Sequence, residues 1–97
     1  MSTICPTLYI SANYNAVLDD FIIFADSTSN TIDVTLPAVH YTGKRFEVKD
    51  FSGTTATFAI KIVASGGGTI DGAPDVTLLT SFQSILVHSD GTNWYIM

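Results

Sequence analysis

Ser84-Ile85-Leu86-Val87-His88-Ser89, then Asp90-Gly91, then Asn93-Trp94-Tyr95-Ile96-Met97, reads as two strands around a tight turn. An Asp-Gly pair readily takes the positive φ values of a tight hairpin turn, and the runs on either side are rich in β-branched and aromatic residues. The spacing predicts a β-hairpin at the C-terminal end. Within its last strand Trp94 and Ile96 share one face and Tyr95 and Met97 the other, so one pair belongs in a core and the other is free to meet a neighbour.

Upstream, Ile32, Val34 and Leu36 alternate with Thr31, Asp33 and Thr35. Phe46 and Val48 alternate with Arg45, Glu47 and Lys49, and Phe58, Ile60, Ile62 and Ala64 continue the pattern around Lys61. This is the period of half-buried strands. Thr7 to Ser11, Phe21 to Phe24 and Val76 to Leu79 are shorter candidates of the same kind. Turn residues separate the runs at Ser27 to Asn30, Pro37 to Gly43, Ser52-Gly53-Thr54, Ser65 to Gly68 and Asp71-Gly72-Ala73-Pro74. Val, Ile, Thr and the aromatic residues make up 41 of 97 positions, whereas Glu and Gln occur once each, which leaves little from which to build exposed helix faces. Only Ala12 to Asp20 has room for a single helical turn. The expected fold is all-β, a small antiparallel sandwich or barrel of jelly-roll-like form, with residues 1–12 as a lead-in or short strand and 13–97 as one domain. No fixed period repeats along the chain, which disfavours a solenoid.

Charged residues account for 13 % of the chain against about a quarter in an ordinary soluble domain, while 46 % is hydrophobic. Mean hydropathy is +0.34. A chain this short has a large surface for its volume, so part of its apolar content must lie outside the core, where contiguous apolar surface marks an interface. Phe21-Ile22-Ile23-Phe24 and Ile85-Leu86-Val87 are apolar on both faces, as strands are when one side meets a core and the other meets another chain or layer. Self-association is the expectation. The net charge of −5 opposes the phosphate neutralisation that nucleic-acid binding needs, so no nucleic-acid partner is expected. No apolar run approaches the roughly 18 residues of a membrane span, and a soluble chain without membrane insertion is expected. The single cysteine, Cys5, cannot close an internal disulfide, which fits folding in a reducing compartment.

The reactive residues form no catalytic pattern. Cys5, nine serines, His40 and His88 occur in no nucleophile motif, and no enzyme activity or cofactor is expected. His40 and His88 lack the spacing of metal ligands, although a single His beside a threefold axis becomes three, which keeps His88 in view. Asp71-Gly72 and Asp90-Gly91 lack the alternating oxygen ligands of a calcium loop and read as turns. Adjacent Asp19 and Asp20 point to opposite sides of an extended chain, so they do not form an acid–base pair. Ser65-Gly66-Gly67-Gly68-Thr69 lacks the Lys-Ser/Thr ending of a phosphate loop, and Lys44-Arg45 with Glu47 and Lys49 reads as a mixed-charge strand face. His40 and Tyr41 remain. They lie in the longest irregular segment, Ala38 to Thr42, where Tyr41 either packs over the end of the fold or, with His40, offers a ring and a hydrogen-bonding imidazole to a sugar or protein receptor.

Val34-Thr35-Leu36-Pro37, Thr42-Gly43-Lys44-Arg45-Phe46-Glu47-Val48-Lys49-Asp50 followed by Ser52-Gly53, Gly68-Thr69-Ile70-Asp71-Gly72, and Ser89-Asp90-Gly91-Thr92-Asn93-Trp94-Tyr95-Ile96 form a recurring type of pattern. From Tyr14 to Met97 the chain resembles the small β-domains that end bacteriophage tail fibres and tail spikes and fibre-like structural proteins of large DNA viruses. The resemblance implies a homotrimer within a virion, in contact with other virion proteins, that attaches to a host-surface glycan or protein receptor. Because the last expected strand runs to Met97, the chain also reads as the terminal domain of something longer or a complete small subunit. The alternative to attachment is a structural module for trimerisation or for fibre and capsid assembly, without receptor binding. The resemblance carries no shared set of binding residues, and the Ala38 to Thr42 segment and Thr57-Phe58-Ala59 depart from the pattern.

Overall fold

A computed structural model describes residues 7–38 and 42–97. Among the described residues nine strands follow one another: β1 (Thr7–Ile10), β2 (Tyr14–Asn15), β3 (Ile22–Ala25), β4 (Ile32–Thr35), β5 (Arg45–Asp50), β6 (Ile60–Val63), β7 (Asp75–Leu78), β8 (Ser84–Ser89) and β9 (Trp94–Ile96). They form two open sheets, a five-stranded sheet A of order β1-β3-β5-β8-β9 and a four-stranded sheet B of order β2-β4-β6-β7. Among the described residues there is no helix.

One buried cluster lies between the sheets. Ile23, Phe46, Val48, Val87 and Trp94 enter it from sheet A, Ile32, Val34, Ile60, Ile62 and Leu78 from sheet B. These are the inward members of the alternating runs, so the period-two pattern is the direct cause of the layering. The C-terminal hairpin forms as expected, with Val87 opposite Ile96, Ser89 opposite Trp94, and Gly91 at φ +95° in the turn.

The strand directions correct the antiparallel, jelly-roll-like expectation. In sheet A, β1, β3 and β5 run parallel, and in sheet B so do β2, β4 and β6. Antiparallel pairing is confined to β5–β8, β6–β7 and β8–β9. The physical reason lies in the connections: each of the first five strands is followed by a turn that crosses to the opposite sheet, so the chain returns to a sheet in its original direction. From Thr7 to Val63 the chain therefore winds as three coils, a solenoid-like path that the absence of a period had disfavoured. The coils differ in length, with Thr7 opposite Ile22 and Ile22 opposite Glu47, so no constant spacing is left in the sequence.

Two further expectations are corrected locally. Within Ala12 to Asp20 the chain forms β2 and then a turn closed by the Asp20 amide donating to the Val17 carbonyl (3.0 Å), not a helical turn. Phe58 belongs to a turn rather than to a strand, since the amides of Thr57 and Phe58 both donate to the Thr54 carbonyl at 2.9 Å.

Crossing turns gather at two ends of the sandwich. Residues 16–21, 36–38, 42–44, 64–74 and 90–93 lie at one end; 11–13, 26–31, 51–59 and 79–83 lie at the other. At the first end the Tyr14 hydroxyl donates to Asp20 Oδ2 (2.6 Å), which also accepts from the Val17 amide (3.0 Å). That hydrogen bond, then desolvation and the Asp20 charge, pushes the Tyr14 phenol up to about 12. A folded value above the unfolded one means that this contribution to stability is complete below the ordinary phenol range near pH 10 and is lost as the pH rises through 12. Ultraviolet titration of phenolate should therefore show a tyrosine titrating late, near 12, that Asp20→Ala returns toward the ordinary range.

Candidate interaction site

The outward face of sheet A differs in kind from that of sheet B. On sheet B the outward positions include Asp33 and Thr35 of β4, Lys61 of β6, and Asp75 and Thr77 of β7, a polar surface of the sort water covers. On sheet A the same parity presents Tyr9 from β1, Ile22 and Phe24 from β3, Leu86 from β8 and Tyr95 from β9, with Met97 just beyond. The two-sided apolar character of Phe21 to Phe24 and Ile85 to Val87 is thus real: Ile23, Ile85 and Val87 are buried inside, while Ile22, Phe24 and Leu86 are half-buried outside.

Aromatic rings concentrate where β1, β3 and β5 end. Tyr9 meets Phe24 and Phe51 edge to face, each with ring centroids 5.2 Å apart, and Phe24 stacks on Phe51 at 5.6 Å. Tyr9 is nevertheless 62 % exposed and Phe51 47 %. Beside them Phe82, 56 % exposed, has φ +64°, a left-handed conformation that costs a bulky residue. It is held there from three sides. Its amide donates to Asp50 Oδ2 (3.0 Å), its carbonyl accepts from Lys49 Nζ, and its ring lies on Gly53. A Cβ at residue 53 would stand 2.5 Å from that ring, so only glycine permits the stacking.

A row of charges crosses the middle of the face. Arg45, Glu47 and Lys49 point outward from β5, the mixed-charge strand read from the alternation. Arg45 lies opposite His88 and donates from Nε to His88 Nδ1 (2.8 Å), so the sequence candidate His88 is an outward strand residue whose nearer ring nitrogen is an acceptor.

The remaining candidates are turn formers. Asp90 Oδ1 accepts from the amides of Thr92 (2.9 Å) and Asn93 (2.8 Å), and these bonds hold its carboxyl below the usual range. Asp71 Oδ1 accepts from the Ile96 amide (3.2 Å), and the Asp71 amide donates to the Trp94 carbonyl (3.0 Å), which covers the open edge of β9. Gly66 and Gly67 take positive φ in the Ser65 to Gly68 turn, and Lys44 Nζ reaches the Asp20 carbonyl (2.5 Å) with its charge 4.6 Å from the Phe46 ring centre. Among the described residues no three His, Cys, Asp or Glu side chains converge as metal ligands.

His40 and Tyr41, like Cys5, lie outside the described residues. The two ends of their segment are described. A Cβ on Gly66 would stand 2.8 Å from Ala38 Cβ, while the Thr42 hydroxyl donates to the Asp90 carbonyl (3.2 Å) and the Gly43 amide to the Ser89 carbonyl (2.8 Å). The segment therefore leaves and rejoins the fold between two tight turns.

No protein-family model matches the chain, and no curated protein matches it in sequence.

One structural residue escaped the sequence reading. Asp50 is fully buried and accepts four backbone N–H bonds, on Oδ1 from Gly53 (3.0 Å) and Thr54 (3.3 Å), and on Oδ2 from Thr55 (3.2 Å) and Phe82 (3.0 Å). Its signal was present as Asp50-Phe51-Ser52-Gly53, an Asp ahead of a Gly turn, where a carboxylate commonly takes the amides that follow it.

Proposed function

We propose that this chain is a non-enzymatic, trimeric module of the viral fibre- or spike-head kind that attaches to a host-surface glycan or protein receptor. The observation that supports this reading is the sidedness of the sandwich. One sheet turns a polar face to water, and the other carries exposed aromatic and aliphatic side chains that suit burial against further copies. Assembly through strand faces leaves the turns at the sandwich ends for a receptor, and several copies multiply a weak contact into useful avidity. Ala38 and Thr42, which flank His40 and Tyr41 in the chain, lie at such an end, as do the exposed Val17 and Leu18.

The alternative, assembly without receptor binding, draws on the same face, since the exposed aromatic side chains among the described residues cluster on or beside sheet A. Binding of the protein to a glycan array and to whole host cells separates the two. The attachment reading expects binding that falls in the Tyr41→Ala, His40→Ala double variant while mass and melting temperature stay unchanged. An assembled protein that binds neither array nor cells overturns it in favour of the structural module.

A further inference from the structure

We propose that the outer face of sheet A seats a second copy of this chain head to tail, the β1–β3 half of one copy against the β8–β9 half of the next. This rests on the self-association put forward above and adds its surface and its symmetry. The face has two apolar halves, Tyr9, Phe24 and Phe51 on one side and Leu86, Tyr95 and Met97 on the other, divided by the charged row of β5. Tyr9, Phe51, Phe82 and Tyr95 are 62, 47, 56 and 41 % exposed. At about 200 Å² per ring these four alone expose about 400 Å² over the two halves, so each half supplies part of the ~800 Å² that a partner contributes to a standard interface. Met97, 66 % exposed, and the half-buried Ile22, Phe24 and Leu86 add to it.

The charge row decides the symmetry. Glu47 stands between Arg45 and Lys49 on the central strand. A twofold axis through the middle of the face would set Glu47 against its own copy, a like-charge contact that costs free energy. An axis through either half would bury that half and leave the other in water. A head-to-tail contact buries both halves of every copy and runs the charged row along the seam, where its heads stay hydrated. Such contacts close into a ring when the rotation permits, which is the geometry a trimer needs.

The test is sedimentation of the whole chain at micromolar concentration, with two double variants, Tyr9→Ser/Phe51→Ser and Tyr95→Ser/Met97→Ser. Wild type is expected at three times the 10.4 kDa chain mass. Each double variant alone is expected to be monomeric, with the concentration for half-assembly raised about 30-fold or more, as loss of central aromatic contacts implies. Mixed in equal amounts, the two variants should form a dimer and nothing larger, because each retains the half the other lacks. A monomeric wild type overturns self-association itself. An assembled wild type with variants that still assemble overturns this face as the interface. Monomeric variants that stay monomeric on mixing overturn the head-to-tail arrangement. If the serine variants melt early, Tyr9→Arg and Ser84→Arg, which add a charge to each half at an exposed position and leave the core intact, replace them with the same readings.

Discussion

Asp50→Ala is expected to lose about 4 kcal/mol of folding free energy, because four amides, one of them in a buried bond and three in part-buried ones, lose their acceptor at once, and an unpaired buried donor costs about 1–3 kcal/mol. The carboxylate joins the turn after β5, through Gly53, Thr54 and Thr55, to the turn before β8, through Phe82. Those turns belong to neighbouring strands of sheet A, so the loss is not confined to one loop. For a domain whose total stability is about 5–15 kcal/mol, the variant sits at the edge of folding. Asp50→Asn keeps one acceptor oxygen but turns an NH2 group toward two N–H donors, so it should recover only part of the difference. Urea unfolding followed by circular dichroism, at fixed protein concentration, checks both. An Asp50→Ala midpoint close to wild type would show that the amides find other acceptors.

Trp94→Ala is expected to cost about 3–5 kcal/mol, the range for emptying a large buried side chain. Trp94 is 1 % exposed and packs its ring 5.5 Å from that of Phe46, so its removal opens a cavity between the sheets. Its indole Nε1 is buried with no hydrogen-bond partner among the described residues. Trp94→Phe removes that unpartnered donor along with part of the bulk, so the two effects oppose and its cost should be clearly below that of alanine. Equal losses in the two variants would mean that the shape of the indole, rather than its apolar volume, matters. Because folding and assembly are linked in the proposed oligomer, Trp94→Ala should also dissociate at lower temperature.

Much of the layering was legible in the sequence. Ile32 and Val34, Phe46 and Val48, and Ile60 and Ile62 point inward where alternation placed them, and Asp90-Gly91 turns the last hairpin. The apolar two-sidedness of Phe21 to Phe24 and Ile85 to Val87 likewise foretold an outward face that water does not favour. Trp94 entered the core as its register allowed, but Ile96, on the same side of β9, remains 39 % exposed, because β9 is an edge strand that runs past its cover.

By itself, then, the sequence determined most of the strands, though not β2 or the place where β6 begins, and which of their faces are apolar, since both depend on neighbours two positions apart. Strand direction it left open. Alternation has the same period in parallel and antiparallel pairs, so the coils from Thr7 to Val63 emerge only when each turn is seen to cross between sheets. The aromatic cluster of Tyr9, Phe24 and Phe51 and the Asp50 hub are tertiary facts of the same kind. Tyr9, Phe24 and Phe51 meet because β1, β3 and β5 lie side by side, and Phe82 reaches Asp50 because β8 lies beside β5. What the tertiary structure decided was the partners across space, because a one-dimensional pattern specifies the side on which a residue faces but not the strand that will lie next to it.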